Sequence, residues 1–146
     1  MIFQNQFKID GQDVFDTYGI IFEKGIYDEL LKLPTRKEIY AQSWKDQHGT
    51  QRYVDENFYE SRELTANMVI LANDKADYLQ KLTIFSTKML SGYFQLDAIE
   101  LNLRFTLLYK SMQQLSLLTR LKNGRVASRF QINFIDDFPL NHPNIQ

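Results

Sequence analysis

The residues best suited by type to metal binding or acid-base chemistry are few and widely spaced. His48 lies in the segment Asp46–Gly49, two positions after Asp46. The other histidine, His142, is far along the chain in a stretch rich in Pro and Asn, and the chain has no Cys. A zinc site needs about three or four ligands held by supporting hydrogen bonds. The sequence therefore favours a solvated turn at Asp46–Gly49, with Gly49 supplying a positive φ, over a metal centre.

A second group with possible chemistry is a loose cluster of carboxylates beside two arginines. A glycosidase needs two carboxylates facing each other across a cleft, and closeness in sequence does not establish that arrangement. A structural interpretation is favoured, in which these residues form a solvated loop and ion pairs at the strand ends. An enzyme would require Asp46, His48 and Glu60 or Glu63 to converge. The cluster consists of Asp55, Glu56, Glu60 and Glu63, with Arg52 and Arg62 beside it.

Sequence motifs for catalysis are also lacking. The chain has no glycine-rich phosphate loop, no paired-histidine helix motif and no serine in a nucleophile elbow. We therefore predict a protein that is not an enzyme and that uses no cofactor or metal.

A long β-hairpin is predicted at Gln113–Ile135, with Asn123-Gly124 at its centre. Asn-Gly between two alternating runs favours a two-residue type I′ turn, because both central residues of that turn need a positive φ. A turn flanked by Lys122 and Arg125 sets the register. One face then pairs Leu121 with Val126, Thr119 with Ser128, Leu117 with Phe130, Leu115 with Ile132 and Gln113 with Phe134. Most of these residues are apolar, so we expect this face to be buried.

The opposite face of the predicted hairpin is polar and basic. Basic groups beside aromatic rings can hold a nucleic-acid backbone, but charged residues on an exposed strand are ordinary and also discourage unwanted strand pairing. The whole chain is close to neutral, with 17 basic and 18 acidic residues. Solvation or contact with a protein partner is therefore favoured over nucleic acid. The basic residues of this face are Arg120, Lys122, Arg125 and Arg129.

Length and composition predict a single β-rich domain. At 146 residues the chain suits one core, and its 11 Phe and 8 Tyr favour half-buried sheet surfaces and protein interfaces. No apolar run is long enough to span a membrane, and Met1–Gln12 lacks the pattern of a signal peptide. We expect residues 1–138 to form the domain and residues 139–146 a C-terminal tail.

One helix is predicted among about eight or nine short strands. The helix is indicated by apolar residues that recur at helical spacing, namely Tyr78, Leu82, Phe85 and Met89. Asn73 or Asp74 can cap its N-terminus, and its expected span is residues 74–90. Val14–Glu23 is predicted to be extended, and Gly19 to mark a bulge or a close backbone approach. Turn signals between the strands favour a β-sandwich or a partly closed antiparallel barrel with the helix packed against it.

The order of these features resembles the N-terminal domain of phage distal tail proteins and the related tail-tube family. The resemblance covers about residues 3–138 and is one of layout and hydrophobic pattern. The features that carry it are Asp10-Gly11, Tyr18-Gly19, Trp44 with Asp46-Gln47-His48-Gly49, Ser61-Arg62-Glu63-Leu64, the helix with Tyr78-Leu79 and Leu82, Gly92-Tyr93-Phe94, Arg104–Lys110 and Gln113–Ile135.

The resemblance implies a structural role in a phage or prophage tail. Such domains assemble as a hexameric ring around the tail channel and join the tail tube to the tip or baseplate. The expected partners are further copies of the chain and neighbouring tail proteins, in the virion tail or in the bacterial cytoplasm before assembly. A second, carbohydrate-binding-like domain, which distal tail proteins often add, is not found here, so a distal ring, a tube or another adaptor stays open. The implied interface comprises Arg120, Lys122, Asn123, Gly124, Arg125 and Arg129 of the hairpin with Asp46, His48 and Gly49.

A second hypothesis is a small-ligand or glycan-binding β-sandwich. Four aromatic residues lie close together in sequence and could line a groove, namely Tyr40, Trp44, Tyr53 and Tyr59. Burial of Trp44 in the core would argue against this alternative.

Overall fold

Alternating burial along two long strands organises the fold. The computed structural model describes residues 4–37, 41–42, 48–52, 58–122 and 124–145. Strand β6 (Arg62–Ala72) and strand β9 (Val126–Asp136) pair antiparallel over their full lengths, and in both strands every second side chain is buried. This period of two places Leu64, Ala66, Met68 and Ile70 on the core side.

These strands belong to a seven-stranded antiparallel sheet. The strand order is β2-β1-β7-β8-β9-β6-β3, and a separate two-stranded sheet pairs β4 with β5. The predicted mainly-β class is therefore confirmed. The remaining strands are β1 (Phe7–Ile9), β2 (Gln12–Asp13), β3 (Ile20–Phe22), β4 (Ala41–Gln42), β5 (Gln51–Arg52), β7 (Phe94–Ala98) and β8 (Leu103–Leu117).

The two ends of the large sheet curl toward each other. The ring of Phe7 in β1 lies 4.6 Å from the ring of Phe22 in β3, although β3 is the last strand of the order and β1 is the second strand from the opposite end. The aromatic contact joins the two ends without a hydrogen-bonded ladder between them. The sheet thus has the partly closed form that the sequence predicts.

Helix α3 (Lys75–Met89) covers the core side of β6 and β9 and agrees with the predicted span. Asp74 caps it by accepting a hydrogen bond from the Asp77 amide, and Lys88 lies in its last turn. The Phe85 ring packs 5.9 Å from that of Phe130, and Tyr78 donates a hydrogen bond to Ser128.

The prediction of extended chain at Val14–Glu23 is wrong over its first half. Val14–Tyr18 forms helix α1, because the Asp13 side chain accepts a hydrogen bond from the Asp16 amide and so caps the helix. Gly19 ends the helix with φ 67° and leads directly into β3. A second short helix, α2 (Ile26–Leu31), follows β3.

The C-terminal segment returns to the sheet. The Arg104 amide donates to the Pro143 carbonyl, and the Ile145 amide donates to the Asn102 carbonyl. Asn144 and Leu103 form an isolated antiparallel bridge. The residues predicted as a tail are thus held against the start of β8.

Candidate functional site

The hairpin of β8 and β9 exists, but its predicted register is wrong. Leu117 pairs with Ser128 rather than with Phe130, and Gln113 pairs with Gln131 rather than with Phe134. Strand β8 ends at Leu117 and strand β9 begins at Val126; the described residues between them, 118–122 and 124–125, are here called the tip loop. Asn123, the first central residue of the predicted turn, lies outside the described residues.

Two irregularities in β8 enlarge the difference from the predicted register, which is already two residues at Leu117. The pairing shifts between Tyr109 and Ser111 and again between Gln113 and Ser116. Gln114, inside the second shift, has φ 58°, the left-handed conformation that accompanies an extra residue in a strand. Each extra residue moves β8 relative to β9, and sequence alternation cannot reveal where such residues fall.

The predicted apolar face is buried only on its β9 side. Val126, Ser128, Phe130, Ile132 and Phe134 are all buried. Their expected β8 partners are exposed because this end of β8 is not covered by the core-side packing. Leu115 is 50% exposed and Leu117 46%, and Leu118 and Leu121 in the tip loop are also exposed. This end of the hairpin is therefore an apolar surface.

Strand β8 also presents an open edge. On the side away from β9, its pairing with β7 stops at Leu107. In the described part of the chain, no strand pairs with that side of Leu108–Leu117. Unpaired edges bearing apolar side chains are sites at which another strand can add.

The basic residues of the hairpin point outward. Arg120, Lys122 and Arg125 are exposed, and none of them takes part in an ion pair of the described residues. Arg129 differs, because its Nε donates a hydrogen bond to Glu23 at 2.7 Å. Gly124 has a positive φ of 79°, as a turn glycine should.

The other predicted interface residues are not brought to the tip loop by polar contacts. His48 and Gly49 are exposed, and Gly49 has φ 80°. No hydrogen bond or ion pair of the described residues joins them to residues 118–125. Asp46 and Asn123 lie outside the described residues.

Among the acidic candidates, Glu60 is exposed, Glu63 forms an ion pair, and the others lie outside the described residues. Glu63 forms an ion pair with Lys110 at 3.0 Å. Asp55 and Glu56, like Asp46, fall outside the described residues. Within the described ranges, no group of three or more His, Asp or Glu side chains could hold a metal ion.

The aromatic groove of the second hypothesis cannot be assembled from the described residues, because Trp44, Tyr40 and Tyr53 lie outside them. Tyr59 is described, and the guanidinium of Arg36 lies over its ring at 5.7 Å from the centroid. The glycan-binding alternative stays a prediction.

A buried polar cluster was missed by the sequence analysis. Arg62 and Asp136 form an ion pair at 2.6 Å with side chains 3% and 0% exposed. His142 lies 2.7 Å from the same Asp136 oxygen, and its ring packs 4.5 Å from that of Phe105. Arg62 also donates to the carbonyls of Leu30 and Lys32 at the end of α2.

This cluster fastens α2, β6, β9 and the C-terminal segment together. Arg62 is in phase with Leu64 and Ala66, and Asp136 is in phase with Phe134. Their position in the apolar alternation could have revealed this pair from the sequence, since a charged residue on the core side of an alternating strand needs a buried partner.

A neighbouring carboxylate, Asp137, is held at the surface by hydroxyl groups. The Ser61 hydroxyl donates to it at 2.6 Å, and the Tyr93 hydroxyl donates to its other oxygen. These hydrogen bonds, that of Ser61 first, lower the pKa of Asp137, while the bond to Asp137 raises the pKa of Tyr93. The arrangement connects the start of β6 to the end of β9.

Among the described residues, no helix has both the length and the apolar character needed to cross a bilayer.

The fold resembles that of a phage hub protein. The chain matches the solved structure of the Dit protein (gp 19.1) of phage SPP1 with a TM-score of 0.61 and 12% sequence identity. The match covers 92% of this chain and 50% of that protein, so the chain spans about half the length of its solved counterpart. That structure is described as a paradigm of the hub adsorption apparatus in phages that infect Gram-positive bacteria. No known protein-family profile matches the chain, and no curated protein matches it.

Proposed function

We propose that this protein is a structural component of a phage or prophage tail, with no catalytic role. The observation that carries the proposal is the likeness of its fold to a phage hub protein over 92% of the chain. In this proposal residues 1–138 form the tail-protein domain and residues 139–146 its C-terminal segment. The protein resides in the virion tail, or in the bacterial cytoplasm before assembly.

The proposed assembly is a homo-oligomeric ring, hexameric in form, that joins the tail tube to the tail tip or baseplate. Two features of the hairpin support it. The edge of β8 is open from Leu108 to Leu117, and exposed leucines follow at its end. A strand or loop of a neighbouring copy placed there would satisfy the free backbone groups and bury the leucines.

Charge placed on this surface should prevent ring formation. We expect Leu115→Lys/Leu117→Lys to remain folded, because both side chains are about half exposed in the isolated chain. The same change should lower the association constant by about tenfold or more, since each lysine would have to be desolvated at the interface. Sedimentation velocity over a wide range of concentrations, with negative-stain microscopy of the largest species, measures the assembly.

A matched control is Leu31→Lys/Leu33→Lys. These leucines are 56% and 89% exposed and lie near the end of α2, away from the β8 edge. This control should assemble like the unmodified chain. A chain that stays monomeric at every concentration, alone and with tail-tube protein added, would contradict the proposed ring.

A further inference from the structure

A pocket lies where the two ends of the large sheet approach each other. It has a volume of about 370 Å³, and the residues lining it include Phe7 of β1, Phe22 of β3 and Tyr27 of α2. The Phe7 ring lies 4.6 Å from that of Phe22 and stacks 5.5 Å from that of Tyr27. We call this space the seam pocket. Phe7 is buried, whereas Phe22 and Tyr27 are only partly buried, so these two rings supply the accessible aromatic surface of the pocket. Aromatic faces attract cations through their quadrupoles.

Carboxylates outnumber cations around the seam pocket. Its lining includes Glu23, Asp28 and Glu100, with Lys24 as the basic residue. Glu23 is neutralised by Arg129. Asp28 and Glu100 are exposed, and neither enters an ion pair of the described residues. The pocket thus offers aromatic rings with carboxylates available at its rim.

Tyr27 is fixed in this pocket by one of those carboxylates. Burial and the hydrogen bond to Glu100 raise the pKa of Tyr27 to about 12. The Tyr27 hydroxyl donates this hydrogen bond to Glu100. This bond orients the ring and keeps a negative charge beside it.

The tip loop carries the complementary charges. Arg120, Lys122 and Arg125 are exposed on it, together with the partly exposed Leu121. No residue of the tip loop lines the seam pocket of its own chain. Arginine has the planar, weakly hydrated cation best suited to stacking on aromatic rings while pairing with a carboxylate.

We infer that the seam pocket of one copy receives a cationic side chain from the tip loop of a neighbouring copy. The inference rests on the proposed ring and specifies which surface receives the hairpin. Tip loop and seam pocket are different surfaces, so their contact is head-to-tail and can continue from subunit to subunit until a ring closes.

Charge exchange between full-length chains tests this contact. The tip variant is Arg120→Glu/Arg125→Glu, and the pocket variant is Asp28→Lys/Glu100→Lys. All four side chains are exposed, so both variants should fold. Each variant alone should associate about tenfold or more weakly than the unmodified chain, because its tip loop and its pocket carry the same charge sign.

An equimolar mixture of the two variants restores opposite charges at every contact, because each tip loop then meets a pocket of opposite sign. We expect the mixture to recover association to within about threefold of the unmodified chain, equivalent to less than about 1 kcal/mol. A chain carrying all four substitutions should recover in the same way. Glu60→Lys, at an exposed acid that is not in the pocket lining, is the control and should assemble normally.

The possible results separate this inference from the ring proposal. Normal assembly of the pocket variant, or failure of the mixture to recover, would overturn the seam pocket as the acceptor and leave the ring intact. If the pocket variant does not fold, Asp28→Lys alone must still weaken association for the inference to stand. An unmodified chain that never associates would overturn the ring and the inference together.

Discussion

At the scale of single residues, the most consequential feature is the buried pair of Arg62 and Asp136. Burying two charges is costly unless each is hydrogen-bonded as well as paired. Asp136 accepts from Arg62 and from the Phe138 amide and contacts His142. Arg62 also donates to the carbonyls of Leu30 in α2 and of Lys32 just after it. No buried side-chain nitrogen or oxygen of the described residues lacks a hydrogen-bond partner.

Removing one member of this pair should be strongly destabilising. We expect Asp136→Ala to lower the free energy of unfolding by about 3–5 kcal/mol, because it leaves the Arg62 guanidinium buried without its counter-charge. Urea unfolding followed by circular dichroism measures the change.

Glu63→Ala provides the comparison, since it removes an exposed ion pair with Lys110. It should lower the free energy of unfolding by about 0–1 kcal/mol. Equal costs for Asp136→Ala and Glu63→Ala would show that the buried pair contributes little to stability.

At the scale of elements, Gly19 determines how α1 joins the sheet. Its carbonyl accepts a hydrogen bond from the Leu71 amide at 2.9 Å, which places β3 beside the end of β6. A Cβ atom at this position would lie 2.5 Å from the Leu71 carbonyl oxygen. The close backbone approach that the sequence left open is therefore present, and glycine is required for both its φ and its lack of a side chain.

A pair of glycine substitutions separates these two requirements. Gly11→Ala should lower the free energy of unfolding by about 1–2 kcal/mol, the effect of a positive φ alone. The φ of Gly11 is +86°, and nothing lies within 4 Å of the added Cβ atom. Gly19→Ala also places its Cβ atom against the Leu71 carbonyl oxygen, so we expect it to lower the free energy of unfolding by about 3 kcal/mol or more. Thermal and urea unfolding of the two variants give the comparison, and equal losses would contradict a steric role for Gly19.

At the scale of the whole molecule, one part of the hairpin is buried in the core, whereas the end at the tip loop exposes basic residues and leucines. Helix α3 covers β6 and β9 through Tyr78 and Phe85. The described residues of the tip loop lie beyond the last paired strand residues and are all exposed. The buried and the exposed side chains thus lie in different parts of the same hairpin.

Reversing the outward charges should therefore leave the fold intact. We expect Arg120→Glu/Arg125→Glu to change the free energy of unfolding by less than about 0.5 kcal/mol, as is usual for exposed residues without partners. Adding Arg129→Glu removes the ion pair with Glu23, whose side chains are 57% and 28% exposed, and should cost no more than about 1 kcal/mol further. Urea midpoints measure both steps, and an unfolded triple variant would contradict the outward orientation of these residues.

The sequence by itself determined the periodic elements. The alternation of β6 and β9 and the helical spacing of Tyr78, Phe85 and Met89 each depend on neighbours within a few positions, so local pattern was sufficient.

Only the tertiary structure decided the register of β8, the pairing of Arg62 with Asp136 and the formation of the seam pocket. Extra residues in a strand leave no periodic signal, and the two charges are 74 positions apart in the chain. The seam pocket combines strands from opposite ends of the sheet order. These features depend on how distant segments meet, and the physical reason they were missed is that local patterns carry no information about long-range proximity.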